Sequence, residues 1–169
     1  MSLHGDIEIE KLRRDHAVQT FDCGQLDLNS WLVRYALQNQ NANAAQTYVA
    51  MADLTVAGYY SLSVGQVEHA SAPTRLQKGL ARHPIPVMLL ARLAVHEDWQ
   101  RRGVGRLLLA DAVVRTVRAA EIAGVRALAV HAKDENARRY YERYDFIASP
   151  SDPLHMFALL RDIREAMAG

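Results

Sequence analysis

The 169-residue sequence contains a single cysteine, Cys23. No disulfide can form within the chain, and a compact Cys/His zinc cluster is not expected, so no metal site is predicted. Charge of either sign is not in excess: the net value is +1, which neither demands nor excludes a nucleic-acid partner. No stretch is apolar enough to span a bilayer, and the first residues lack the core of a signal peptide. The expectation is a cytoplasmic chain with no membrane attachment. Repeats, low-complexity tracts and linkers are missing too, so residues 1–169 are expected to form one domain.

Half of the residues are hydrophobic and 23% are charged, the balance of a globular core. IEIEKL (Ile7 to Leu12) alternates and predicts an edge strand. Leu28, Trp31, Leu32 and Tyr35 have helical spacing, with Asp27 as the expected N-cap. Strands are expected at about Thr47 to Asp53, Val56 to Val67 and Val87 to Val95. The segment from Glu68 to Val87 holds three of the five prolines and reads as a loop, with a short helix around Thr74 to Leu80. A helix from Gly103 to about Ala123 is expected to carry a stripe of Leu107, Ala110, Val114 and Val117 and to stop at Gly124 as C′. VRALAVHA gives another strand, DENARRYYERYD a helix, and Phe146 to Leu160 one or two last strands. The fold class is α/β, a mixed central sheet flanked by helices.

The chemistry concentrates in LAVHEDWQRRGVGRLLL, Leu93 to Leu109. A strand runs into a glycine-bearing turn and a helix start, an arrangement that holds phosphate on free backbone N–H groups. It is not the dinucleotide fingerprint, whose third glycine is replaced by Leu108, and it lacks the G-K-[ST] of a P-loop. Gln100-Arg101-Arg102-Gly103-Val104-Gly105 instead matches Q/R-x-x-G-x-G/A. It resembles the pyrophosphate loop of the GNAT N-acetyltransferases, which bind acetyl-coenzyme A. Asn136, Tyr141 and Phe146 are similar to the N…Y-E-x-x-G-F segment of that superfamily. Asp145 stands where glycine is usual, and aspartate tolerates the left-handed turn.

The resemblance implies a division of labour. Backbone N–H groups from Arg101 to Arg106 would hold the pyrophosphate, with Gln100 opening the motif. Leu93 and Val95 would pair their backbone with the pantetheine arm. Asn136 would contact the cofactor, and Tyr141 would protonate the departing thiolate. Tyr140 is the rival, separated from Tyr141 only by its spacing to Phe146.

The strand Val87 to Val95 carries no carboxylate base. A lysine acceptor, with a pKa near ~10.4, would need one; an α-amine near ~7.7–8.0 needs far less help. An ordered water, His83 or His96 could also serve. Arg92 is the odd residue in that strand, either salt-bridged or facing a phosphate or carboxylate of the acceptor. Arg75, Lys78 and Arg82 cluster in the proline-bearing loop, and Arg138, Arg139 and Arg143 stand beside Tyr141. A basic rim suits a polyanionic acceptor.

FDCGQLDLNSWL, GYYSLSVGQV and ARLAVHEDWQRRGVGRLLLADA are similar, more narrowly, to the GNAT toxins of bacterial type II toxin–antitoxin modules. That resemblance, spanning about Phe21 to Ile163, implies acetylation of the α-amine of aminoacyl-tRNA and a block of translation. It also implies a ribbon-helix-helix antitoxin and a toxin homodimer. The substrate-binding expectation falls on Arg75, Lys78, Arg82 and Arg92. The alternatives are a GNAT enzyme acting on a small amine or a protein N-terminus, and a non-catalytic coenzyme A-binding or DNA-binding regulator. Retention of Tyr141 and Asn136 disfavours the last.

Overall fold

Isoleucine and charge alternate in Ile7–Lys11 (β1), which half-buries Ile7 and Ile9 and exposes Glu8 and Lys11. This is the edge strand the pattern predicts, paired antiparallel with Gln46–Ala52 (β2). The computed structural model describes residues 6–169. The remaining strands are Thr55–Val67 (β3), Ile85–Val95 (β4), Ala127–His131 (β5), Ile147–Ala148 (β6) and His155–Leu159 (β7). The helices are Leu26–Arg34 (α1), Ala36–Asn41 (α2), Thr74–Gln77 (α3), Val104–Ala120 (α4), Glu135–Glu142 (α5) and Leu160–Ala168 (α6). The strands stand in the order β1-β2-β3-β4-β5-β7-β6. β4 and β5 are parallel, while β1–β2, β2–β3, β5–β7 and β6–β7 are antiparallel, the mixed α/β sheet expected from the sequence.

The chain forms two compact units, Met1–Ser63 with Ala91–Ala112, and Val64–Leu90 with Val113–Gly169. In the first, Leu12, Phe21, Leu32, Val49, Tyr59 and Ala94 form the core, with Trp31 packed against it. A buried Thr47–Ser61 hydroxyl pair at 2.8 Å satisfies the two polar side chains between β2 and β3. Gly58 lets α4 lie close: a Cβ there would stand 2.9 Å from the Ala94 carbonyl oxygen and 2.9 Å from Leu108 Cδ1. In the second unit Ile85, Val87, Ala127, Ala129, Phe157 and Leu159 make the core. β5 is registered against β7 from Ala127↔Leu159 to His131↔His155.

Five local features differ from the pattern. The first long helix breaks at Tyr35, whose backbone leaves helical geometry (φ −120°). Asp27 is not its cap. It lies in the first turn after Gln25, which makes no capping bond. Asn29 does the tying instead: its side chain accepts from the Cys23 N–H at 2.9 Å and donates to Asp22 at 3.0 Å. On α4 the buried stripe is Val104, Leu108, Ala112 and Thr116, while Ala110 is exposed. That helix ends at Ala120, and Gly124 does not adopt the left-handed conformation of a C′ glycine. The short helix α3 covers four residues rather than reaching Leu80.

Candidate active site

Within the first unit, β4 delivers the chain to the glycine turn. A tight 3-10 turn, Glu97–Trp99, follows the strand, and α4 begins at Val104. Two residues of the connection are left-handed, Arg101 (φ 61°) and Gly103 (φ 85°), with Arg102 between them not so. Such alternation of hand turns successive N–H groups toward one side, which makes a nest for an anion. Gly103 then caps α4: its carbonyl accepts from the Leu107 N–H at 3.1 Å. The N–H groups of Val104, Gly105 and Arg106 fall in the first turn, where no intrahelical acceptor exists. The helix dipole adds partial positive charge at the same place. These features fit a pyrophosphate.

The turn is pinned from beneath. The Gln100 side-chain amide donates to the Cys23 carbonyl at 3.2 Å and to the Val95 carbonyl at 3.0 Å. Gln100 thus braces the loop with its side chain. Glu97 N–H donates to the Asp22 carbonyl at 2.8 Å, and His96 N–H to the Ala57 carbonyl at 2.8 Å. Gly24 is left-handed (φ 87°), and a Cβ there would come within 3.0 Å of the Glu97 carboxylate. Asp22, Cys23 and Gly24 therefore shape the loop from a distant part of the sequence. Spacing within Leu93–Leu109 cannot reveal that; the FDCG segment was visible only as part of a wider resemblance.

The two arginines of the turn differ. Arg102 lies over the Trp99 ring at 4.1 Å and donates to the Asp98 carbonyl at 3.2 Å. Arg101 is exposed. His96 is engaged, its Nδ1 accepting from the Asp98 N–H at 3.1 Å. On β4, Arg92 is half-buried and, among the described residues, forms no salt bridge, yet it is not isolated. Its guanidinium covers the Trp31 ring at 4.0 Å, and Trp31 stacks on Tyr59 (6.1 Å, 9°). Tyr59 in turn donates to the Leu28 carbonyl at 2.8 Å, which fixes α1 under the stack. The aromatic face holds the arginine while leaving its N–H edge available for an anion.

Within the second unit, Asp134 caps α5 by accepting from the Ala137 N–H at 2.9 Å. This presents Asn136 exposed in the first turn and Tyr141 buried on the inner face. Tyr141 packs between Tyr140 and Phe146, with centroids 5.3 Å away in each case. Asp145 takes the left-handed conformation (φ 67°), as expected of the residue standing in for glycine. The Phe146 N–H returns to the Tyr141 carbonyl at 3.2 Å. Burial pushes the Tyr141 phenol up to about 12.

The basic rim is thinner than its residue count. Arg138 is bound by Glu135 and Glu142, and Arg139 lies 3.7 Å from Glu135. Arg143 faces the Tyr140 ring at 5.7 Å. Arg75 is held in a bidentate pair by Asp162 at 2.8 and 2.6 Å. Lys78 and Arg82 are exposed and make no ion pair among the described residues. Arg75 and Lys78 line one cavity, and Arg82 does not.

Residues 43–148 match the acetyltransferase (GNAT) domain family. The chain belongs to the GNAT acetyltransferase family. It is therefore an acetyl-transferring enzyme, and its mixed α/β sheet is that of a GNAT domain. The sequence is 42% identical over 147 residues to the tRNA-acetylating toxin of Mycobacterium tuberculosis, covering 87% of this chain and 88% of that one. Among solved structures it is similar to AtaT complexed with acetyl-methionyl-tRNAfMet. That match has a TM-score of 0.88 and 28% identity, over 96% of this chain and 99% of that one. A tyrosine-to-phenylalanine mutant of AtaT, bound to the C-terminus of the antitoxin AtaR and acetyl-CoA, matches with a TM-score of 0.82 and 26% identity. It covers 97% of this chain and 99% of the other. No helix among the described residues is long and apolar enough to cross a membrane, and no described His/Cys/Asp/Glu group could hold a metal ion.

Proposed function

We propose that this GNAT enzyme moves the acetyl group of acetyl-coenzyme A to the α-amine of the amino acid on charged tRNA and blocks translation as a toxin. The observation that carries the reading is 42% identity to a tRNA-acetylating toxin across 87% of the chain. Absence of a carboxylate from β4 supports it. The N–H groups from Arg101 to Arg106 hold the pyrophosphate, with Gln100 bracing them. Leu93 and Val95 lie on β4 past Met88 and Leu89, which pair with β5, and offer backbone to the pantetheine arm. Asn136 contacts the cofactor from α5.

The neutral amine attacks the acetyl carbonyl carbon, a C–N bond forms and the C–S bond breaks. Tyr141 gives its proton to the leaving thiolate and is reprotonated by the proton the amine releases through solvent. The acetylated nitrogen has lost its charge and nucleophilicity and cannot accept a growing peptide. In the first unit Arg92, held on Trp31, and in the second the exposed Lys78 and Arg82 are the cations offered to a polyanionic acceptor. A ribbon-helix-helix antitoxin, a second copy as homodimer partner and a cytoplasmic site of action complete the proposed role.

Lys78→Glu and Arg82→Glu are the clean tests of the acceptor surface, because neither breaks an ion pair; Arg75→Glu would also lose Asp162. Each should weaken tRNA binding and lower the salt slope by about one for every phosphate no longer neutralised. The thermal shift with acetyl-coenzyme A should stay unchanged. Wild-type affinity and salt slope in both variants would remove this loop from the acceptor surface.

A further inference from the structure

α6 and α3 enclose a cavity of about 390 Å³ whose walls carry five cations and no carboxylate: Arg75, Lys78, Arg126, Arg161 and Arg164. Two of these are partly spent. Arg75 is paired with Asp162, and Arg161 lies 3.7 Å from Glu165. Lys78, Arg126 and Arg164 have no ion pair among the described residues, and all three are exposed. Like charges gathered around one hollow give it a positive potential that attracts an anion, screened in part because the side chains are exposed.

The cations are held on fixed supports. Arg126 donates its backbone N–H to Pro86 at 3.0 Å and accepts from Leu160 N–H at 3.0 Å, so its side chain leaves from an anchored point. Leu160 is buried and roots α6, which places Arg164 one turn along. The Arg75–Asp162 fork ties α3 to α6 and fixes the opposite wall. Arg126, Leu160 and Arg164 also border a second cavity of about 440 Å³, otherwise lined mainly by apolar groups such as Leu80, Pro84, Ile85 and Val125. None of Arg126, Arg161 and Arg164 belongs to the cofactor or acid-base set.

We infer that this cleft is a phosphate-backbone site for the acceptor tRNA, with Arg126 and Arg164 as its principal contacts and Lys78 at its edge. The inference rests on the proposed tRNA reading for its choice of polyanion. Guanidinium groups bind phosphate oxygens in a forked geometry and are weakly hydrated, so they displace the cations condensed on an RNA strand at little desolvation cost. The site adds affinity for the body of the tRNA without touching the reacting amine.

The test is the double variant Arg126→Glu, Arg164→Glu, beside Arg126→Lys, Arg164→Lys, which retains the charge. Binding of labelled tRNA is followed by fluorescence anisotropy across a salt series, a readout that needs no turnover. Steady-state acetylation of charged tRNA is measured in parallel. The reversed variant should bind tRNA about tenfold or more weaker, with a salt slope lower by about two. Its KM for charged tRNA should rise while kcat at saturation and the acetyl-coenzyme A thermal shift hold. The lysine variant keeps the charge and loses the fork, so its salt slope should match wild type while its affinity falls by no more than about threefold. Unchanged affinity and salt slope in the reversed variant would overturn the inference, even if that variant lost affinity for an acidic protein partner. Wild-type protein that binds tRNA through the cleft yet labels no charged tRNA would uphold the inference and overturn the proposed acceptor.

Discussion

Tyr141→Phe should lower turnover by about 10²–10⁴-fold and leave acetyl-coenzyme A affinity intact. The substitution removes one oxygen and its proton and keeps the ring that packs between Tyr140 and Phe146. The fold around α5 therefore has no reason to change. Burial raises the phenol to about 12, so the acid form persists far above neutral pH. Loss of activity on the alkaline side should not come from this group below pH ~11. The acid side is set by the acceptor: kcat/KM should rise with pH as the α-amine loses its proton near pH ~7–8. Single-turnover acetylation beside a thermal-shift titration separates the two quantities. Full activity in Tyr141→Phe with a dead Tyr140→Phe would transfer the acid role to the neighbouring residue.

Gly103→Val should abolish the thermal stabilisation by acetyl-coenzyme A. Gly103 sits at φ 85°, a conformation that costs an L-residue on the order of 1–2 kcal/mol, more when it is β-branched. Either the turn relaxes and the nest opens, or it holds and the new side chain crowds the place where phosphate must approach. Both outcomes lose the ligand, whose binding stabilises the native protein by mass action. Loss of the ligand shift in Gly103→Val, with a basal melting temperature lowered by only about 2–8 °C, is the expected pattern. An undiminished acetyl-coenzyme A shift would contradict the placement of the pyrophosphate at this turn.

The turn and the two helix starts of the candidate cofactor site were legible because their geometry is local. Gln100 to Gly105 and Asn136 to Phe146 each lie on one short stretch, and a strand, a turn and a helix start need only neighbouring residues. Even the left-handed Asp145 follows from one residue type. What was not legible depends on distant pairings. The brace from Gln100 to Cys23 spans 77 positions, and the fork from Arg75 to Asp162 spans 87. Periodicity also failed where a helix is apolar on several sides. On α4, Leu107, Leu108 and Leu109 are consecutive, so spacing alone could not choose the stripe that ends in buried Thr116. Arg92 shows the same limit: its strand alternation was visible, while the Trp31 ring beneath it comes from α1. Positive charge counted along the chain overstated the basic surface, because Glu135, Glu142 and Asp162 answer much of it.

The most direct measurement is transfer of label from acetyl-coenzyme A to three acceptors side by side: total charged tRNA, the same tRNA deacylated, and free amino acids. Label is expected on charged tRNA alone, released as an N-acetyl amino acid when the ester is hydrolysed. Equal labelling of free amino acids, or no labelling of any charged tRNA, would contradict it and favour a small-amine acetyltransferase.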